Sequence, residues 1–227
     1  MWPTDPDQLA AVQVALAAEA DEAASWQVPD RLLLGGCWVC FARGLTGPGQ
    51  AGDPAWTGAV TVRSGRVRSR HTGVGQAAGP YVPGLMALRA GALLERAVRG
   101  LRARPDVVLL DATGRDHPRR CGLALHLGAV LDVPTVGVTH RPLLATGDWP
   151  DDRDGAMAPL LLEGEPVGWW LRSRAGTRPL AVHPGWRTGV DTAAEVLRAA
   201  LHGRRTPEPL RQARHLARRS RARAFTE

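Results

Sequence analysis

The run Val107-Val108-Leu109-Leu110-Asp111 constrains this chain more than any other. Four consecutive large apolar residues leave no polar face, so a strand made from them must be covered on both sides, as in a sheet flanked by helices. The strand ends on a carboxylate. The turn Ala112-Thr113-Gly114-Arg115-Asp116 then leads into His117-Pro118-Arg119-Arg120. An acidic side chain at the end of a buried strand is held firmly beside an open cleft, where α/β proteins place ion- and phosphate-handling groups. The layout predicts such a site around Asp111.

Periodicity elsewhere agrees with a layered α/β chain. Residues 6–25, 85–101, 119–131, 190–202 and 208–224 have helical spacing, and 31–41, 106–111, 134–139 and 180–183 read as buried strands. Residues 56–62 with 66–71, and 160–162 with 167–172, read as hairpins, the second around Glu163-Gly164-Glu165-Pro166. Residues 44–54, 72–83 and 141–158 are predicted to be loops. Antiparallel strands followed by alternating helices and strands imply one mixed sheet with helices on its faces, in a single domain spanning 1–227.

The chain of 227 residues carries a net charge of +7, and nearly all the excess lies at one end. Residues 201–227 hold eight arginines against Glu208 and Glu227. Such a stripe attracts phosphate backbones, or is simply a solvated helix face. All 29 basic residues are arginine, a bias that discounts arginine number alone as a sign of nucleic-acid binding. Cys37 and Cys40 have CxxC spacing inside a strand, so they point to opposite faces and are expected to be structural rather than joint zinc ligands. No apolar run reaches the ~20 residues that span a bilayer, and Met1-Trp2-Pro3-Thr4-Asp5 is unlike a secretory signal. The expected location is the cytoplasm, away from membranes.

Several motifs in order resemble one family. Pro80-Tyr81-Val82-Pro83-Gly84 is followed by Asp111, His117-Pro118-Arg119-Arg120, Gly122-Leu123-Ala124 and His126-Leu127-Gly128. Val133-Pro134-Thr135-Val136-Gly137-Val138 and Pro184-Gly185 with Arg187 continue the series. Together they resemble endonuclease V, the nuclease that acts on nucleic acid containing deoxyinosine or inosine. The resemblance implies a ribonuclease-H-like fold, a mixed five-stranded β-sheet flanked by helices. It also implies a magnesium ion held by two or three carboxylates, supported by a lysine and histidines. Asp111 and His117 match that catalytic set, with Asp111 a metal ligand. Tyr81, Val82, Pro83 and Gly84 match the family's base-separating wedge, and Gly114 its substrate-binding turn.

Other positions depart from the family pattern. Trp38 stands at the first-strand aspartate, Ala90 at the glutamate, His140 at the lysine and Trp186 at the second histidine; Ala112 and Thr113 are changed too. One carboxylate is too little for Mg²⁺, which demands near-octahedral oxygen ligation. The expectation is a catalytically degenerate homologue, a pseudoenzyme that binds DNA or RNA at deoxyinosine or mismatched positions without efficient cleavage. Two alternatives stay open. One is an active or altered Mg²⁺-dependent endonuclease in DNA repair working through Asp111; the other is a repurposed scaffold or biosynthetic accessory protein that binds no nucleic acid. Residue-level alternatives stay open as well. Tyr81 is a stacking wedge or part of a turn, and Asp111 with His117 is a half-site or a structural relic. His140, Cys40, Asp111 and His117 form a new soft-metal site or are scattered by chance. His183 and Trp186 stack on a ligand or plug an unused cleft.

Overall fold

In chain order the elements are α1 (Pro6–Glu22), β1 (Leu34–Phe41), β2 (Pro54–Arg63), β3 (Arg66–Gln76), α2 (Met86–Arg99) and β4 (Val107–Leu110). There follow α3 (Leu123–Leu131), β5 (Thr135–Thr139), β6 (Met157–Leu162), β7 (Glu165–Leu171), β8 (Leu180–Pro184), α4 (Val190–Ala200) and α5 (Glu208–Arg223). The structure, a computed structural model, describes residues 2–23, 25–45 and 47–224. Ala24 in the predicted first helix, Thr46 in the predicted 44–54 loop, and residues 1 and 225–227 of the predicted domain lie outside the described residues.

The strands form one sheet in the order β3-β2-β1-β4-β5-β8-β7-β6. β4 is parallel to β1 and β5 on either side, and every other pairing is antiparallel. All four residues of β4 are buried, as its unbroken apolar run requires. Val108 and Leu110 join the core under α2 and α3, while Val107 and Leu109 join the core under α4 and α5. Leu109 has no accessible surface. Truncating a leucine so placed costs about 2–5 kcal/mol.

α5 lies close on β1 and β2 because two mid-strand glycines let it. A Cβ on Gly36 would collide with the backbone of Pro209, and one on Gly58 with that of Ala213. The basic helix is therefore seated on the sheet, with Leu210, Ala213 and Ala217 buried beneath it. At the other end of the chain, α1 starts cleanly, with Asp5 accepting from the Gln8 N–H at 2.9 Å and Pro6 in its first turn.

The ribonuclease-H-like architecture stands, but among the described residues the sheet has eight strands rather than five. β3 runs on to Gln76 through residues expected to be irregular, because pairing with β2 continues from Thr72 opposite Gly58 to Gln76 opposite Pro54. α3 begins at Leu123, not 119, since Arg120 adopts a left-handed φ of 53° that no helix tolerates. β6 begins at Met157, inside the stretch read as a loop. Cys37 and Cys40 do face opposite ways, one toward α2 and the other against Trp56 and Ala217. No helix among the described residues is long and apolar enough to cross a membrane.

Candidate functional site

The turn after β4 organises the site. His117 donates from Nε2 to the Gly84 carbonyl at 3.0 Å and accepts the Arg119 N–H on Nδ1 at 3.2 Å. The two bonds fix one neutral tautomer and occupy both ring nitrogens. Burial holds the His117 pKa below its ordinary value and Arg119 pushes the same way, against the Gly84 bond and Asp116. His117 thus works as a clamp on the loop that contains Tyr81. The same carbonyl receives Arg119 Nη2 at 3.2 Å and Gln13 Nε2 at 3.4 Å. Gln13, buried in α1, also donates to the Cys121 carbonyl at 2.9 Å and accepts Arg119 Nε at 2.7 Å. Gly84 itself has φ +80°, a conformation that glycine adopts without strain.

The opposite wall hangs from the neighbouring residue. Asp116, fully buried, accepts three successive backbone N–H groups, from Leu143 at 2.6 Å and from Leu144 and Ala145 at 2.8 Å. His183 lies behind this wall, with Nε2 2.9 Å from the Thr139 hydroxyl and Nδ1 3.9 Å from Asp116. Burial pushes its pKa down to about 4, so it is neutral. It packs in the interior and does not stack in the cleft. Gly114 is buried against the Pro184 carbonyl, which leaves no room for a Cβ, so it shapes the turn from behind.

Between these walls is a cavity of about 350 Å³, lined among others by Gln13, Tyr81, Pro83, Gly84, Asp111 and His117. Five positions singled out in the sequence therefore meet in one hollow. Tyr81 is 45% exposed at the rim beside exposed Val82, and its N–H is held by the Gly49 carbonyl at 3.0 Å. Buried Arg89 steadies this loop. It pairs with Asp53 at 2.7 Å, donates to the Gln50 and Gly79 carbonyls, and lies over the Phe41 ring.

A second cavity of about 120 Å³ meets the other side of Asp111 and is lined by Cys37, Trp38, Val39, Phe41, Ala90 and Leu94, with Asp111 its one carboxylate. Desolvation by the surrounding protein raises the Asp111 pKa to about 6, although the side chain opens to solvent in the larger cavity; Arg214 pulls the other way. The Cys37 thiol is pushed up to about 12 by burial, so it offers no thiolate. These donors do not fit Mg²⁺. Among the described residues no three His, Cys, Asp or Glu side chains converge as a metal group.

The soft-metal set does not assemble either. Cys40 packs with Trp56 and Ala217, His117 is engaged with Gly84, and exposed His140 meets Arg205 Nη2 at 3.2 Å. Trp186 is also displaced from the expected cleft position. It is buried with Cys121 and Leu125 against Leu16, Ala17 and Ala20 of α1. Arg119 stood in the His117-Pro118-Arg119-Arg120 motif, but its part in the brace, and those of Gln13 and Asp116, were not read from the sequence. The faint signal for Gln13 was a polar side chain between Val12 and Val14 in the middle of α1.

A family model for endonuclease V matches residues 46–215. The chain belongs to the endonuclease V family. The endonuclease V of Roseiflexus sp. (strain RS-1) is 42% identical over 121 residues, 53% of this chain and 54% of that protein, so the match spans about half of that relative. Endonuclease V from Streptomyces avermitilis has a crystal structure with TM-score 0.88 at 31% identity, covering 99% of this chain and 96% of that one. Endonuclease V of Ciona intestinalis, solved with DNA containing an inosine followed by a ribo-adenosine, has TM-score 0.76 at 18% identity, covering 96% of this chain and 100% of that one. That last likeness speaks for the fold alone.

Proposed function

We propose that this endonuclease V homologue binds DNA or RNA at an unusual base, deoxyinosine or a mismatched position, and holds it without efficient cleavage. The observation behind this reading is the asymmetry at Asp111. On one side, Tyr81, Pro83, Gly84 and His117 line a cavity within the size range of small-molecule sites. On the other side, Trp38 and Ala90 stand where the family pattern calls for carboxylates, leaving Asp111 alone. An enzyme that acts on a base must take it out of the stack, and such a base needs an aromatic partner and polar groups at its edge. Tyr81 supplies the first at an entrance shaped by Val82 and Pro83. Asp111 supplies the second, accepting an N–H of the base. His117, Gly84 and Gly114 keep the entrance in register.

Two-metal hydrolysis needs ligands that hold the ions and neutralise the transferring phosphate, and Trp38 and Ala90 provide none. No hydrolytic step is assigned to the site. Three free, buried cysteines fit a reducing, cytoplasmic setting, and residues 1–227 are read as one domain with the basic α5 as part of it. A second reading, altered metal-dependent phosphodiesterase activity, draws on the openness of Asp111 to the larger cavity.

The test is incubation of inosine-containing DNA and RNA with the protein in Mg²⁺ and in Mn²⁺, beside a binding titration. The expected result is intact strands, bound at least about 5-fold more tightly with inosine than with adenine, as one hydrogen bond from the base edge to the Asp111 carboxylate permits. Robust cutting that disappears in Asp111→Ala would overturn the reading in favour of the second.

A further inference from the structure

Positive charge is not spread evenly over this molecule. On α5, Arg214, Arg218 and Arg221 are spaced four and three residues apart, so they share one helix face over a rise of about 10 Å. Arg214 sits over the Trp38 ring at 5.5 Å, on the Asp111 side of the sheet. Arg218 and Arg221 line a pocket of about 390 Å³ with Arg43. Beyond the start of α5 the row continues, with Arg205 donating to the Arg178 carbonyl at 3.0 Å and meeting His140 at 3.2 Å. Among the described residues none of these arginines has a carboxylate partner within ion-pair distance. Ion pairs do engage other arginines, among them Arg89, Arg115, Arg120, Arg172 and, on α5 itself, Arg211. A row of guanidiniums held this close together, without carboxylates, is electrostatically unfavourable unless an anion completes it.

We infer that this row is the track of a single nucleic-acid strand, whose phosphates run along α5 past Asp111 while the bound base occupies the Tyr81 cavity. The inference rests on the binding reading above and adds the path and polarity of the interface. The 10 Å between Arg214 and Arg221 is about the axial rise of three stacked nucleotides at ~3.4 Å each. Arginine suits the task because its planar fork takes phosphate oxygens in pairs. Arg214 also brings a fixed cation to the Trp38 side of Asp111, where the donor set does not fit a metal ion. A phosphate there is then neutralised by a side chain, which grips the strand without activating water.

The exposed arginines of β3 make an internal control. Arg66, Arg68 and Arg70 project from an edge strand, where charge guards against edge-to-edge pairing, and the hollow that Arg68 lines with Asp30, Arg31 and Arg63 does not include Asp111.

The experiment is fluorescence anisotropy of the full chain with a labelled 16-nucleotide single strand, with and without one inosine, from 50 to 300 mM KCl. Arg214→Gln/Arg218→Gln/Arg221→Gln is expected to lower the salt slope by about 2, at ~0.7 per lost phosphate contact, and to weaken both strands by roughly 10-fold or more. The ratio between the two strands should stay as it is. Exposed Arg218→Gln alone, which removes no internal contact, should lower the slope by about 0.7 and covers the case in which the triple variant fails to fold. Arg66→Gln/Arg68→Gln/Arg70→Gln should change neither slope nor affinity.

If the α5 variants match the β3 control while inosine preference persists, the track is wrong and the cavity reading survives. Loss of inosine preference with an unchanged slope effect would overturn the cavity reading and keep the track. No binding of either strand by the parent protein would overturn both.

Discussion

Asp111 stands between two hollows of opposite character, and the contrast separates two tasks that a nuclease must combine. The larger is held open by a polar network: Gln13, His117 and Arg119 converge on the Gly84 carbonyl, and Asp116 grips three backbone N–H groups across from them. The smaller is walled by Cys37, Trp38, Phe41, Ala90 and Leu94, all uncharged. The hydrogen bonds that brace the first run to Gly84, Cys121 and the 143–145 segment, away from Trp38 and Ala90. The two hollows are thus built mostly from different residues, although both are lined by Met86, Asp111 and Leu123.

The most drastic way to break the contrast is to return carboxylates to the smaller hollow. Trp38→Asp with Ala90→Glu is expected to turn a flat Mn²⁺ calorimetric titration into a saturable one, and to raise cleavage of inosine-containing DNA by about 100-fold or more. A variant that folds but takes up no Mn²⁺ would mean that more than these two positions separates the hollows. Next in size, Tyr81→Ala should weaken binding of the inosine strand about 5- to 150-fold, equivalent to ~1–3 kcal/mol of stacking, and leave the thermal midpoint unchanged.

Gln13→Ala acts from behind the larger hollow. It leaves the Cys121 carbonyl and Arg119 Nε without their buried partner, which costs about 1–3 kcal/mol and lowers the thermal midpoint by roughly 2–4 °C per kcal/mol. Unchanged calorimetric stability would show that the network is not the brace described here.

The smallest effect is on pH. The Asp111 carboxyl is raised from 3.8 to about 6, so the fold prefers its neutral form. The associated penalty is absent below pH ~4 and complete above pH ~6, and stability from this group declines as pH rises between them. The side chain meets solvent, which keeps the change to no more than about 3 °C, and Asp111→Asn should flatten it. Preference for the inosine strand should fall a few-fold from pH 7 to pH 5 as the carboxylate that accepts the N–H of the base is protonated, with Arg214 opposing from α5.

Local pattern made part of this legible. The apolar run 107–110 required a strand covered on both faces, and the order of motifs placed Tyr81, Gly84, Asp111 and His117 in one site before any coordinate. What escaped depends on long-range approach. Thr72-Gly73-Val74-Gly75 has the composition of a loop, yet it is a strand because β2 offers a partner over its full length. Trp186 follows a familiar Pro-Gly pair, but the chain leaves β8 toward α1 and takes the indole to the other side of the turn. Gln13 lies 71 residues from Gly84, and a polar residue on an apolar helix does not announce its partner. The basic stripe of 201–227 read equally as a phosphate-attracting or a solvated helix face, because the order of its arginines depends on the seating of α5 over Gly36 and Gly58.

Asp116 and His117 are adjacent in the chain, yet they hold opposite walls: one the segment 143–145, the other the loop ending at Gly84. The gauge of the cavity is therefore set across a single peptide bond. A residue inserted there would change the width that every ligand meets, whereas drift on the Trp38 side leaves the gauge as it was.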